Sequence, residues 1–143
     1  MKATDLAIGD WVCLKDDTKC EFPLKVDGVL TDYISLEGEG FLGGVDGLIR
    51  PIPITPEILE KNGFYDRNSQ WYYKIFLLND CFDIAISLVY REIEVSKVCG
   101  AGTDCEEEEY GSAIAFGNDI CVHTLQHALR LCGLDELADN FKV

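Results

Sequence analysis

The segment Ile52-Pro-Ile-Thr-Pro-Glu-Ile-Leu-Glu-Lys-Asn-Gly-Phe64 contains the start and stop signals of a complete short helix. Thr55 stands at the N-cap position, where its hydroxyl can accept from a free backbone N–H, and Pro56 follows at the first helical position. Gly63 is placed to take the left-handed conformation that ends many helices, and the residue after it can fold back onto Leu59. We expect this two-turn helix to dock on other elements, because so short a helix is marginal alone.

The segment Val122-His-Thr-Leu-Gln-His-Ala-Leu-Arg-Leu-Cys-Gly133 predicts a longer helix near the C-terminus. Asn118 or Asp119 can cap its start, and Gly133 can end it. At about 100° per residue, one face is an apolar stripe of Cys121, Val122, Leu125, Ala128, Leu129 and Cys132. We expect this stripe to cover a sheet. The tail over residues 134–143 fits a short helix or a final strand.

The first fifty residues have the pattern of short β-strands separated by glycine turns. One strand is expected within residues 8–15, one longer strand within 25–36, with Gly28 as a bulge or bend, and one at 45–49. The glycines between residues 38 and 44 match a phosphate-binding GxGxxG pattern literally. No helix follows them, so we interpret this stretch as a turn. The region predicts a bent β-sheet or a small SH3-like barrel.

The middle of the chain predicts an antiparallel sheet. Residues 71–78, 82–90 and 92–98 are rich in strand-forming residues, and the last two stretches alternate polar and apolar side chains. A final short strand is expected at 112–116. We therefore predict one α+β domain over residues 1–143. Its β-rich N-terminal subdomain spans residues 1–50, and residues 51–143 supply the short helix, the antiparallel strands and an amphipathic C-terminal helix that covers this sheet.

The two helical segments, together with the opening Ala7-Ile-Gly-Asp-Trp-Val12, resemble a family of uncharacterised proteins from gut Bacteroidales genomes, prophages and mobile elements. Members of that family have a Pro-Ile-Pro-Leu-Thr-type helix start and a Val-His-x-Leu-Gln helix, in this order along nearly the whole chain. The family has no assigned function and implies no substrate, cofactor or catalytic residue. Its association with mobile elements implies an accessory role.

The formal net charge is −14, from 12 basic and 26 acidic residues. Nucleic-acid binding depends on basic side chains that neutralise phosphates, and the few present here do not cluster. We therefore expect no direct nucleic-acid contact and no binding to a membrane surface. A basic protein partner fits this charge, and so does a plain role of acidity in solubility.

Seven cysteines are present, an odd number without a Cys-x-x-Cys pair. A secreted disulfide framework usually has an even number, so we expect these residues to be reduced, buried and apolar in character. No secretion signal and no apolar run of membrane-spanning length is seen. The sequence therefore predicts a cytoplasmic protein.

The two histidines, His123 and His127, are four residues apart, a spacing that can place two imidazoles on one metal ion. Cys99 and Cys105 complete a nominal Cys₂His₂ set, although their spacing is wider than that of a zinc knuckle. The helical wheel places both histidines opposite the apolar stripe, so we expect them to face solvent or a partner and not the core. No local signature singles out a cysteine nucleophile. We predict no cofactor and no metal, with these four residues as the alternative of a metal-binding module.

The run Asp104-Cys-Glu-Glu-Glu-Glu109 is a dense anionic segment, most simply a solvated loop. We predict a non-enzymatic accessory protein that binds a protein partner. Its expected contact surfaces are this acidic loop (Glu106, Glu107, Glu108 and Glu109) and a solvent-facing helix strip (His123, Gln126 and His127). One alternative is an anti-defence protein whose acidic surface mimics nucleic acid.

Overall fold

The computed structural model describes residues 1–17, 19, 21–43, 47–66, 71–77, 81–98, 113–114 and 120–143. After a 3₁₀ turn at Ala3–Asp5, ten strands and three helices follow within these ranges. In chain order they are β1 (Trp11–Leu14), β2 (Leu24–Val29), β3 (Tyr33–Leu36), β4 (Gly40–Gly43), β5 (Ile49–Pro51), α1 (Pro56–Lys61), β6 (Tyr65–Asp66), β7 (Trp71–Leu77), β8 (Cys81–Ser87), β9 (Glu92–Val98), β10 (Ala113–Ile114), α2 (Val122–Leu131) and α3 (Asp135–Asp139).

The first sheet is antiparallel, with strand order β4-β3-β2-β1-β5. The β2–β3 register shifts between Val26 and Gly28, so the bulge expected at Gly28 is present. One face of the sheet carries the core, formed by Val12, Val26, Ile34, Leu36 and Ile49. Within the described residues β4 and β5 do not pair with each other, so this sheet is not closed into a barrel.

The second sheet is also antiparallel, in the order β10-β9-β8-β7-β6. The β7–β8 hairpin keeps one register from Trp71↔Ser87 to Leu77↔Cys81, and β9 continues it on the other side of β8. Ile84, Ile86 and Ile93 are buried, as the alternating pattern of these segments predicts. The strands predicted in the middle of the chain are confirmed within the described residues.

Helix α1 has the caps predicted from its sequence. The Thr55 hydroxyl accepts from the backbone N–H of Ile58 at 3.4 Å. Gly63 has a φ of 79°, its N–H donates to the carbonyl of Glu60, and the next N–H donates to the carbonyl of Leu59. This pair of bonds is the Schellman motif, which satisfies carbonyls at the helix end. Leu59 is fully buried, as expected of the residue that anchors the helix.

Helix α2 ends as predicted but begins at a different cap. Gly133 has a φ of 74° and closes a second Schellman motif, with the N–H of Leu134 donating to Leu129. The N-cap is Cys121, whose backbone N–H donates to the Thr124 hydroxyl at 2.9 Å. The expected caps Asn118 and Asp119 lie outside the described residues. The C-terminal tail contains the short helix α3 and not a strand.

The chain divides into two compact units. The first unit contains residues 1–53 and 121–143, and the second contains residues 54–120. The first unit is continuous in space because Pro53 pairs with Cys121 in an antiparallel bridge and the N–H of Val122 donates to the carbonyl of Ile52 at 2.9 Å. The second unit is therefore an insertion between two chain segments that lie side by side.

The α+β class is confirmed. Helices α2 and α3 belong to the first unit, where α2 contacts β1. The expected packing of α2 across the sheet of the second unit stays a prediction. The expectation that all cysteines are reduced is wrong for Cys13, which is disulfide-bonded, whereas Cys121 and Cys132 are in the thiol form. In the described ranges, no helix has the length and apolar character needed to span a membrane.

Candidate functional site

The carboxylate of Asp10 is the centre of a polar cluster in the first unit. Asp10 precedes β1 and is fully buried. Its Oδ2 accepts from the backbone N–H of Ala7 at 2.8 Å and lies 2.6 Å from Nε2 of His127. Its Oδ1 accepts from Nη1 of Arg130 at 2.7 Å. Both carboxylate oxygens therefore have partners, as a buried charge requires.

Helix α2 supplies the side chains that contact Asp10, and they lie on one face of the helix. His123, Gln126, His127 and Arg130 recur at the i, i+3, i+4, i+7 spacing that places side chains together on a helix. Arg130 also reaches two further acceptors with Nη2, the Asp139 carboxylate at 3.1 Å and the Ile8 carbonyl at 3.2 Å. The guanidinium thus ties α2 to α3 and to the turn before β1.

The Gln126 side chain is fully buried and fully satisfied. Its Oε1 accepts from the backbone N–H of Trp11 at 3.0 Å. Its Nε2 donates to the carbonyls of Gly9 at 2.9 Å and Ala138 at 2.8 Å. The side-chain amide therefore forms hydrogen bonds with the backbone on both sides of Asp10, accepting from one N–H and donating to one carbonyl as the backbone of a paired strand does.

The C-terminal end of the chain is tied to the first sheet by two further hydrogen bonds. Nε1 of Trp11 donates to the carbonyl of Phe141 at 2.8 Å. Nζ of Lys25 donates to the carbonyl of Asp139 at 2.7 Å and lies 5.6 Å from the ring centroid of Trp11. The Lys25 ammonium group, at the C-terminal end of α3, also interacts favourably with the last carbonyls of that helix.

The contacts of Asp10 and Gln126 define one cluster. We call it the end clamp, and it consists of Gly9, Asp10, Trp11, Gln126, His127 and Arg130.

A thiol and an imidazole form a second pair beside the end clamp. Sγ of Cys121 lies 3.1 Å from Nδ1 of His123, and both residues are buried. Burial lowers the pKa of His123, against a raising contribution from Asp10, so the imidazole is neutral at pH 7. The ring of His123 meets that of His127 edge to face, with centroids 5.9 Å apart.

The pKa values of Asp10 and Arg130 are shifted in the directions expected for an ion pair. Burial by itself raises the pKa of Asp10, but the bonds from His127, Ala7 and Arg130 together hold it below its ordinary value. Burial likewise lowers the pKa of Arg130, and its bonds to Asp10 and Asp139 outweigh this and raise it. Asp10 is therefore a carboxylate and Arg130 a cation at neutral pH.

The arrangement does not form a nucleophile–base–acid triad within the described residues. In such a triad one imidazole bridges the nucleophile and the orienting carboxylate. Here His123 contacts the thiol of Cys121, whereas His127 contacts the carboxylate of Asp10. The two halves of a triad are divided between two rings, and the neutral His123 does not favour a thiolate beside it.

The expectation that the helix strip faces solvent is wrong for His123 and Gln126, whereas His127 is partly exposed. His123 is 6% exposed, Gln126 is 0% exposed and the side chain of His127 is 30% exposed. The helical wheel separates these residues correctly from the apolar stripe. It does not anticipate that α2 is covered on two faces, because the turn at Gly9–Trp11 supplies a carboxylate and backbone groups that satisfy polar side chains.

The remaining candidates are distributed unevenly. Cys99, Cys105 and the acidic loop (Glu106, Glu107, Glu108 and Glu109) lie outside the described residues. The structure brings Cys121, and not the two predicted cysteines, to the histidines. In the part of the chain that is described, no three histidine, cysteine, aspartate or glutamate side chains are placed to hold a metal ion.

Sequence reasoning missed Asp10 and Arg130 as members of the cluster. Arg130 completes a polar stripe at helical spacing, which is the same periodic signal that identified the apolar stripe. A second periodic stripe on one helix indicates a second packed face. No local feature of Asp10 indicates its burial, since the side chains that bind it, His127 and Arg130, are more than a hundred residues away in sequence.

Comparison with protein-family models, curated proteins and solved structures gives no match to this chain. The role of the end clamp is therefore inferred from its own contacts. These contacts join the turn before β1 to α2 and α3, so we infer that the end clamp stabilises the first unit.

The glycine of the end clamp provides one test. Gly9 has a φ of 91°, and a Cβ there would lie 2.9 Å from Nη2 of Arg130 and 3.3 Å from Oδ1 of Asp139. Gly38 has a similar φ of 86° with nothing within 4 Å. We expect Gly38→Ala to lower the free energy of unfolding by about 1 kcal/mol, from backbone strain alone. Gly9→Ala should lower it by about 2 kcal/mol or more, because the bound guanidinium must also move. Equal losses in urea titrations would show that the close contact has no energetic weight.

The pH dependence of stability tests the ionised state of Asp10. Its folded pKa lies below its unfolded pKa, so its contribution to stability is present above the unfolded value and is lost as the pH falls through the folded one. We expect Asp10→Asn to lower the free energy of unfolding by about 2 kcal/mol at pH 7. The gap between wild type and variant should narrow steadily below about pH 4. A gap that stays constant down to the acid limit of folding would contradict an ionised Asp10.

Proposed function

We propose that this chain is a non-enzymatic accessory protein that binds a protein partner, as its resemblance to proteins of mobile elements implies. One observation carries the proposal. The polar side chains of the end clamp, which would be candidates for catalysis, are bonded to one another and to backbone inside the first unit. The contacts of these side chains are therefore accounted for by a structural role in the first unit.

The insertion is the part of the chain that we assign to partner contact. Residues 54–120 contain 13 acidic and 5 basic residues, so they carry a formal charge of −8 out of the total of −14. This segment also contains the acidic loop. A concentration of negative charge favours encounter with a positively charged surface and speeds association. The chemistry thus points to a basic protein as the partner.

An acidic protein that mimics nucleic acid is the second candidate, because the same charge would also occupy the phosphate-binding surface of a defence protein. In this case the partner is a nucleic-acid-binding protein, and duplex DNA competes with this chain for the same surface of the partner. A metal-binding module through His123, His127, Cys99 and Cys105 is a weaker candidate, since His123 and His127 already have the thiol and the carboxylate as neighbours.

Two finer assignments belong to the same proposal. We assign the first sheet to an SH3-like arrangement, supported by the position of β1 between β2 and β5 and by the bulge in β2. We assign the protein to the cytoplasm, supported by Cys121 and Cys132, which remain in the thiol form. The disulfide of Cys13 argues the other way, because such bonds are rare in reducing compartments.

The acidic loop tests the proposal directly. The four glutamates at positions 106–109 would be changed to glutamine, and the protein used for affinity capture from an extract of its source cells. We expect capture of one basic protein in stoichiometric amount by the wild type, and a loss of about tenfold or more with the variant. The melting temperature should change little, because adjacent like charges repel one another and their neutralisation rarely destabilises a fold.

A matched control removes the same number of charges elsewhere. The first unit has exposed acidic residues at Asp16, Asp27, Glu37 and Glu39. Their conversion to amides makes the net charge less negative by the same amount as the loop variant. Retention of the partner by this control and its loss from the loop variant supports the proposal. Equal retention by both variants sinks the assignment to the loop, and displacement of the partner by duplex DNA favours nucleic-acid mimicry.

A further inference from the structure

The disulfide of Cys13 belongs neither to the end clamp nor to the proposed partner contact. Cys13 lies on β1, is fully buried and is bonded to a second cysteine. The sequence of the first unit contains cysteines at positions 13, 20, 121 and 132. Of these, Cys121 and Cys132 are in the thiol form. Cys20 is therefore the other cysteine of the first unit that is available to pair with Cys13.

Cys13 and Cys20 belong to the same connection of the first sheet. The register pair of β1 and β2 nearest to this connection is Val12↔Leu24, and both cysteines fall between these paired residues in sequence. A disulfide requires two Cα atoms to approach within about 7 Å. Two positions of one hairpin connection can meet this requirement where the connection folds back on itself.

The backbone around Asp17 provides this fold. The N–H of Asp17 donates to the carbonyl of Leu14 at 3.2 Å, which is the hydrogen bond of a β-turn. The Asp17 carboxylate then accepts from the N–H of Glu21 at 3.0 Å and from the N–H of Phe22 at 2.8 Å. Short hydrogen bonds thus link the residue that follows Cys13 to the residue that follows position 20.

The same turn is held against β5. Nε of Arg50 donates to the carbonyl of Asp17 at 3.2 Å, and Nη2 of Arg50 donates to the same oxygen. The N–H of Lys15 donates to the carbonyl of Leu48 at 2.8 Å. A covalent bond across the connection would restrict the unfolded chain and favour the folded position of Asp17.

We propose that Cys13 and Cys20 form a disulfide that fastens the β1–β2 connection of the first unit. This inference goes beyond the proposed function, because it concerns the scaffold and not the partner. Formation of the bond uses a disulfide oxidant such as glutathione disulfide. The S–S bond of the oxidant breaks, the S–S bond of the protein forms, and the two cysteine protons leave with two glutathione thiols. The two electrons lost by the cysteines reduce the oxidant.

A peptide map identifies the partner of Cys13. The folded full chain is equilibrated with glutathione disulfide, unfolded with N-ethylmaleimide to block its thiols, and digested with trypsin without reductant. Cleavage at the lysines of positions 2, 15, 19 and 25 separates the two cysteines. We expect peptides 3–15 and 20–25 to be found as one linked pair that separates on reduction. A Cys13 peptide that carries the maleimide, or that is linked to Cys81, Cys99 or Cys105, would overturn the inference.

Thermal unfolding tests the stabilising role of the bond. Trp11 fluorescence in a Trp71→Phe background reports the first unit, and each protein is heated with and without dithiothreitol. We expect dithiothreitol to lower the melting temperature by about 5 °C, because a short closed ring no longer restricts the unfolded chain. Cys20→Ser should lose this dependence. The control Cys132→Ser should keep it, because that cysteine is already in the thiol form. An equal effect of dithiothreitol with and without Cys20, or no effect at all, would contradict the role of the bond.

Discussion

The buried carboxylate of Asp10 is the constraint on which the first unit depends. A charge removed from water is tolerated only where it is paired and hydrogen-bonded, and here three groups from two distant parts of the chain satisfy it. Because two of those groups lie on α2, the turn before β1 and the C-terminal helix must meet in one register. The amide of Gln126 fixes the same register through the backbone of Gly9 and Trp11.

This constraint explains how the opening segment of the chain and α2 are held together. The opening Ile-Gly-Asp-Trp and the C-terminal Gln-His-x-x-Arg face each other across the end clamp, although more than a hundred residues separate them. The bridge from Pro53 to Cys121 closes the same unit at its other junction. A scaffold held in this way leaves the intervening residues 54–120 to form a compact unit of their own. A scaffold of this kind, with an acidic insertion, fits the proposed binding role, in which the insertion contacts the partner.

Local signals in the sequence were sufficient for α1 and for the end of α2. The Thr-Pro start and glycine stop of α1, and the glycine stop of α2, correspond to hydrogen bonds between residues a few positions apart. The alternating strands of the second sheet and the bulge at Gly28 also follow from local pattern. The end clamp could not be predicted in this way, because the burial of His123 and Gln126 depends on Asp10 and the backbone of a remote turn. The polar stripe on α2 was visible, but polar periodicity alone does not distinguish solvent from a polar packing surface.

The most direct test of the account is a double-mutant cycle between Asp10→Asn and Arg130→Met in a Trp71→Phe background, where Trp11 fluorescence reports unfolding of the first unit. The free energy of unfolding of the four proteins at pH 7 gives the coupling between the turn and the helix. The end clamp predicts a coupling of about 1 kcal/mol or more, since both residues belong to one buried network. Additive effects, with a coupling below about 0.3 kcal/mol, would contradict the claim that this ion pair holds the two ends of the chain together.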